Sequence, residues 1–345
     1  MRFIGRNAEL QQLSRFLDRS PDSLAVVYGR RRVGKSELLR QALKHSGLQY
    51  VFCETSAFYP DFCDEDKVCL YSVFGGIPAY TRKIDPLLTV KENILNLVGA
   101  KDSELSIAIN HFLLSEISKI NNANLVFSAL SKGTLKFSDL LAKTQLPNGA
   151  ILTYTLNKLM SMGLIEKRAP INDEKNKRRT LYGIIDPLTS YYYRFVERYQ
   201  DFILLMGEET AFKTFVEEEF ETNYVPNAFE EISRQFLIRL NRSGRILPPF
   251  FKIGRYSYDL PKEHHNREFD VVTLDEQGYT CYEVKFRNRK LTQVDVDNEI
   301  KQIVELTLPC SRFGFISRCG FTGVKSADNL KLYTLSDLYS PENFV

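Results

Sequence analysis

The sequence predicts an α/β protein of several domains, and three observations carry that expectation. Residues 24 to 54 run from an apolar strand through a glycine-rich loop and a helix into a second strand, the opening of a parallel α/β layer. Residues 122 to 186 read as three short helices followed by two alternating strands. From residue 222 the pattern changes again, to one amphipathic helix, a run of strands and a further helix near 293 to 306.

The totals agree with this division. A chain of 345 residues has room for about two or three domains. With 43% apolar and 26% charged residues it is an ordinary globular composition. The formal net charge of +3 is too small to demand nucleic acid as a partner, so any such claim must rest on local patches. The 6 cysteines (Cys53, Cys63, Cys69, Cys281, Cys310, Cys319) contain no CxxC pair, which predicts reduced thiols rather than a zinc ribbon or a disulfide framework. No stretch approaches the roughly 20 unbroken apolar residues of a membrane span. The start, MRFIGRNAEL, lacks the apolar centre of a signal peptide. The expectation is a cytoplasmic chain.

Taken in order, residues 6 to 19 place Leu10, Leu13, Phe16 and Leu17 on one helical face. SLAVVYG is a short buried strand, GKSELLRQALKHS a helix and LQYVFCE a second strand. Residues 55 to 78 show no clear period, and 92 to 120 are helical again. NANLVFSALSKG predicts a helix ending at Gly133, KFSDLLAKTQL a second with Ser138 as N-cap, and NGAILTYTLNKLMSMG a third closed by Gly163. LIEKRAP and RRTLYGIID then alternate around the polar turn INDEKNK. Three helices and a hairpin in this order are the layout of a winged helix-turn-helix. Its third helix would present Asn148, Thr153, Thr155, Asn157 and Lys158 to solvent or DNA, and its wing Lys175, Lys177, Arg178 and Arg179 to phosphates. The same block could equally serve as a protein-contact or spacer domain. Residues 187 to 221 are aromatic and helical.

Gly29-Arg-Arg-Arg-Val-Gly34-Lys35-Ser36 fits the phosphate-loop pattern G-x-x-x-x-G-K-[ST], with a strand before it and a helix after it. Gly29 and Gly34 let backbone N–H groups turn toward phosphate oxygens. Lys35 would reach the outer phosphates and Ser36 would hold Mg²⁺, so ATP and Mg²⁺ are the expected cofactors. Turnover also needs an apolar strand ending in an acid for the Mg²⁺ shell. No such strand lies between Cys53 and the winged helix, and residues 1 to 57 cannot build a full nucleotide-binding sheet of about five strands.

FIGR at 3 to 6, YGRRRVGKSEL at 28 to 38, YSVFGGIPAY at 71 to 80 and KFSDLLAKT at 136 to 144 together resemble the archaeal-type ATPase family. That resemblance implies an AAA/STAND-like P-loop module, a winged helix and a C-terminal domain related to PD-(D/E)xK nucleases, with a restriction-endonuclease-like α/β fold. Against the family pattern this chain looks like a member with an internal deletion near residues 54 to 57, where the acid-bearing strand would stand. Nucleotide binding without hydrolysis is what such a chain would retain.

Near the carboxyl end, REFDVVTL is followed by YTCYEVKF. Glu283 and Lys285 are two apart on one strand and so share a face, and a hairpin would bring Asp270 to Glu283. Two carboxylates can hold Mg²⁺ against a phosphodiester, and Lys285 can orient the attacking water or offset developing negative charge. The set resembles the D…ExK motif of the family's nuclease-like domain. In AFEEISRQF the resemblance assigns an additional glutamate to Glu230, with Glu231 as the alternative. Arg287, Arg289 and Lys290 could hold backbone phosphates.

The expected domains are a partial P-loop module at 1–57, the helical remainder of the ATPase region at 58–120, the winged helix at 121–187, a helical connector at 188–221 and the nuclease-like domain at 222–345. Three functions follow: a DNA-associated ATP-binding protein with a metal-dependent nuclease site, a STAND-type nucleotide switch, or a family member retained as a binding module without catalysis. The partners to look for are a nucleotide and DNA, with an oligomer or protein partner left open, and no membrane.

Overall fold

The computed structural model describes residues 10, 12–16, 42, 62–76, 78–112, 122–260, 265–305, 310–325 and 327–340. The chain divides into two compact units, residues 1–53 and 54–345. In the first, residues 10 and 12–16 are helical, inside the helix predicted over 6 to 19, and Ala42 is buried. The glycine-rich loop at 29 to 36 and the strands predicted on either side of it lie outside the described residues.

The second unit opens with α1 (Asp64–Phe74), where the sequence showed no period. Asp64, Glu65 and Asp66 fill its first turn, and Cys63 Sγ accepts the Asp66 N–H at 3.5 Å. Acids in a first turn favour a helix start, the one signal that could have revealed it. Next come α2 (Val90–Val98), which begins on a Thr89–Glu92 capping box, and α3 (Glu104–Phe112). Within the helical stretch expected over 92 to 120, the described residues thus form two helices. Gly99 closes α2 through its N–H to Leu95 O, and Ser103 Oγ accepts the Ala100 N–H at 3.0 Å before α3 begins.

The central block comprises α4 (Ala123–Leu130), β1 (Leu135–Lys136), α5 (Phe137–Thr144), α6 (Gly149–Ser161), β2 (Ile165–Arg168) and β3 (Leu181–Ile184). Its antiparallel sheet has the order β1-β3-β2. Leu152, Leu156 and Leu159 of α6 are buried at helical spacing. Gly163, at φ 70°, lets the chain turn back: its N–H reaches Met160 O at 2.9 Å, and Leu164 N–H reaches Leu159 O at 3.1 Å.

Two expectations need correction here. Ser138 is not the N-cap of α5. Lys136 is, because Leu135 and Lys136 are held against β3 and helix geometry starts directly after them. Thr155 is not on the outer face of α6. It is buried, donating its hydroxyl to Ile151 O at 3.0 Å, while Tyr154 stands out at 58% exposure.

Residues 187–224 are helical, as the aromatic run suggested, and pack on one another through rings. Tyr191 and Phe195 lie 5.1 Å apart by centroid, and Phe195 and Tyr224 5.2 Å. The last domain runs α7 (Val225–Arg242), β4 (Lys252–Leu260), β5 (His265–Asp275), β6 (Gly278–Lys285), α8 (Gln293–Glu305), β7 (Cys310–Ser317) and β8 (Leu330–Thr334). The sheet order is β8-β7-β6-β5-β4. β4, β5 and β6 run antiparallel, and β6, β7 and β8 run parallel. One face carries Val271, Tyr282 and Ile316 into the core shared with Phe229, Phe236 and Leu237 of α7. The other carries Phe269, Val272, Cys281 and Phe315 against Val296 and Ile303 of α8. The sheet is thus covered on both sides, which leaves its edges and strand ends for chemistry.

Candidate active site

The site is set by register. β5 and β6 pair Val271 with Tyr282 and Val272 with Cys281, and the ladder ends there; Asp270 and Glu283 are the next residues of the two strands, near enough that the Asp270 charge adds to the rise of the Glu283 pKa. A bulge lies at this point: between the Gly254–Val272 and Tyr256–Phe269 pairs, Asp270 and Val271 stand against the single residue Arg255. Bulges of this kind re-aim a side chain beside a site.

Lys285 follows on the same strand and face as Glu283. Its ammonium pairs with Glu283 and, at 3.0 Å, with Glu299 of α8. Burial works against the Lys285 charge, but the two glutamates outweigh it and hold its pKa above the ordinary value. Glu283 is raised, first by burial and against the pull of Lys285, with Glu299 and Asp270 adding repulsion. Arg255 of β4 pairs with Asp270 at 3.4 Å and donates to Glu268 at 3.0 Å.

The two neighbouring glutamates of α7 divide. Burial, then the Asp270 charge, push the Glu230 carboxyl up to about 8, with Glu283 adding to the rise and Arg255 and Arg168 opposing it. Glu231 is drawn the other way. Burial would raise it, but Arg234 at 2.5 Å, Arg168 at 3.4 Å and Gln235 at 3.1 Å hold it below the ordinary carboxylate range. Glu230 faces the acids, and Glu231 belongs to an arginine cluster beside them.

Glu230, Glu231, Asp270 and Arg255 line a cleft of about 590 Å³ between the last domain and the central block, whereas Glu283 and Lys285 do not line it. Glu230, Asp270 and Arg255 form one wall, and Gly133, Thr134 and Arg168 stand across from them. Arg255 ties the walls together by donating to Thr134 Oγ1 at 3.3 Å.

Carboxylate oxygens are the donors a hard cation such as Mg²⁺ takes, and one or two with water complete its shell. Asp270 is paired with Arg255 and Glu283 with Lys285, and the rise on Glu230 comes first from burial and then from the Asp270 charge. Among the described residues no group of three or more His, Cys, Asp or Glu side chains is already drawn together as a ligand set.

The basic residues of the turn between β2 and β3 differ from one another. Arg179 pairs with Asp173 at 3.7 Å and reaches Ser257 O at 3.5 Å, whereas Lys175, Lys177 and Arg178 are exposed. Arg289 holds Asp295 through two bonds of 2.7 Å. Gly29, Gly34, Lys35 and Ser36 lie outside the described residues. Arg255 and Glu299 escaped sequence reading. Arg255 sits on a strand that was not foreseen, and no spacing rule links Glu299 to Lys285 before the fold is known.

Residues 3–136 match the family model of an ATPase domain predominantly from Archaea. Residues 192–299 match one described as archaeal and bacterial proteins of unknown function, a span that includes Glu230, Asp270, Glu283, Lys285 and Glu299. An uncharacterized protein of Methanocaldococcus jannaschii is 23% identical over 255 residues, 73% of this chain. The chain spans about half, 54%, of that relative's length. The crystal structure of protein VC1899 from Vibrio cholerae is 13% identical, with 67% of this chain and 52% of that chain covered, at a TM-score of 0.22. Among the described residues no helix is long and apolar enough to cross a membrane. The first part of the chain is thus similar to an ATPase domain found mainly in Archaea, and the later part to archaeal and bacterial proteins of unknown function.

Proposed function

We propose that this is a nucleotide-binding, DNA-directed protein whose last domain is of the PD-(D/E)xK nuclease type and cleaves phosphodiesters. The observation that supports the reading is that Asp270 and Glu283 directly adjoin the last paired residues of the β5–β6 hairpin, with Lys285 paired to Glu283 two residues along the same strand. Asp270 and Glu283 would hold a divalent cation, which supplies polarisation of the phosphodiester and a bound water of lowered pKa. Lys285, kept charged by Glu283 and Glu299, would position that water and offset charge on the phosphate. Glu230, with its raised pKa, is suited to hold a proton near neutral pH at the rim of the same site. Gly29, Gly34, Lys35 and Ser36 would bind ATP with Mg²⁺, and without an acid-bearing partner strand the loop would bind rather than turn over. The block of residues 121–187 would serve as a winged helix, with Asn157, Lys158 and the exposed wing lysines toward nucleic acid.

The test is Mg²⁺- or Mn²⁺-dependent nicking of DNA by the full chain, beside Asp270→Asn and Lys285→Met. Cleavage lost in both variants supports the reading. Tight ATP binding with no cleavage by the wild type would instead favour a nucleotide switch.

A further inference from the structure

Resting on the nuclease reading above, we propose that the strand this site cuts is unpaired: the cleft takes a single strand of nucleic acid and excludes intact duplex. Glu230 and Asp270 sit in a cleft rather than on a flat face, with the Asp270 carboxylate still 42% exposed. The central block stands across the cleft from them, and its position is fixed by several direct links to β4. Ile171 N–H donates to Arg255 O at 2.8 Å. Asn172 donates to Ser257 O at 2.8 Å and accepts the Ser257 N–H at 3.1 Å. Lys252 pairs with Glu174 at 2.8 Å. Packing is as close as the bonding: a Cβ on Gly254 would come within 2.7 Å of Ile171 Cγ2. With Arg255 also bonded to Thr134, the far wall cannot swing away without breaking all of these contacts.

The space enclosed is about 590 Å³. That is the scale of a small-molecule site, roughly 300–1,000 Å³, and suits a nucleotide or two rather than a helix. A duplex is a stiff rod with a persistence length of about 50 nm and cannot push one of its strands between fixed walls. An unpaired strand bends freely and can lay its backbone along a charged groove. The cleft offers such a groove. A second cavity of about 390 Å³ adjoins the first across Arg168, Glu231 and Arg234 and extends toward Tyr71 and Gly76. Lys132 and Lys167 line the first cavity as exposed backbone-binding cations, in the same cavity as Asp270, while Arg168 and Arg234 there are paired with Glu231.

The experiment follows cleavage of end-labelled oligonucleotides by the full chain in Mn²⁺. The substrates are single-stranded DNA, single-stranded RNA, blunt duplex of the same sequence and a duplex with a single-stranded flap. The inference predicts that at least one single strand, and the flap, are cut at least tenfold faster than blunt duplex. The DNA and RNA arms identify which sugar the cleft accepts. A Lys132→Glu/Lys167→Glu variant, changed only at exposed positions and checked for folding by circular dichroism, should bind the preferred strand at least fivefold more weakly. Blunt duplex cut as fast as the single strands overturns this inference and leaves the nuclease reading standing. No cleavage of any substrate overturns both. Unchanged strand binding in the double variant also overturns the proposed path.

Discussion

Glu230 on α7 and Asp270 on β5 line the same cleft, and the Glu230 carboxyl is pushed up to about 8, first by burial and then by the Asp270 charge. That relationship gives the site its pH behaviour.

Glu230 keeps its proton in the fold up to about pH 8, whereas an unfolded glutamate releases it near its ordinary value of about 4.3. Between those values the folded state binds more protons, so stability falls as pH rises through that window. Glu230→Gln cannot ionise and should escape the loss. Urea unfolding at pH 5, 7 and 9 should show the variant gaining on the wild type at each step, and Mg²⁺ should narrow the gap at pH 9. A difference independent of pH would remove Glu230 from the acidic cluster.

Arg255 neutralises Asp270 and Glu268 and bridges to Thr134. Arg255→Ala should cost about 1–3 kcal/mol, the usual effect of leaving charged partners unsatisfied. Divalent cation should restore more stability to this variant than to the wild type, because it replaces the lost positive charge. Equal metal-induced shifts in melting temperature for the two proteins would argue against a cation at Asp270.

Phe229 precedes Glu230 on α7, is fully buried and lies 5.0 Å by ring centroid from Phe286, just past Lys285. Phe229→Ala should destabilise the chain by about 3–5 kcal/mol. Phe229→Leu should lose far less stability while weakening cleavage, since the ring pair aligns the helix with the strand end. Chemical denaturation and nicking assays on the two variants separate the effects.

At the amino end, Lys35→Ala should weaken binding of ATP with Mg²⁺ at least tenfold in calorimetric titration, through loss of the phosphate contact. Wild-type protein should bind the nucleotide without sustained phosphate release. Steady ATP hydrolysis would show that an acid elsewhere completes the loop.

How much of this was legible in the sequence depended on whether the signal was local. α7 was readable because Phe229, Ile232, Phe236, Leu237 and Leu240 recur at helical spacing, and β5 and β6 because a tight turn joins two β-rich runs. The motif at Asp270, Glu283 and Lys285 was readable for the same reason, since a hairpin is a short-range structure. β4 was not, because it is an edge strand whose alternation is interrupted by the bulge at Arg255. Glu299 and the wall at Thr134 depend on packing between distant segments, which no periodicity encodes. Thr155 shows the limit within a helix: its hydroxyl is satisfied by Ile151 O, so a polar residue occupies a buried position.

The central claim is that Asp270 and Glu283 together grip a divalent cation. Calorimetric titration of Mn²⁺ into the nucleotide-free full chain, beside Asp270→Asn, tests it most directly. The account predicts saturable heat from the wild type and its loss in the variant. Equal heats from both proteins, or none from the wild type, would contradict it.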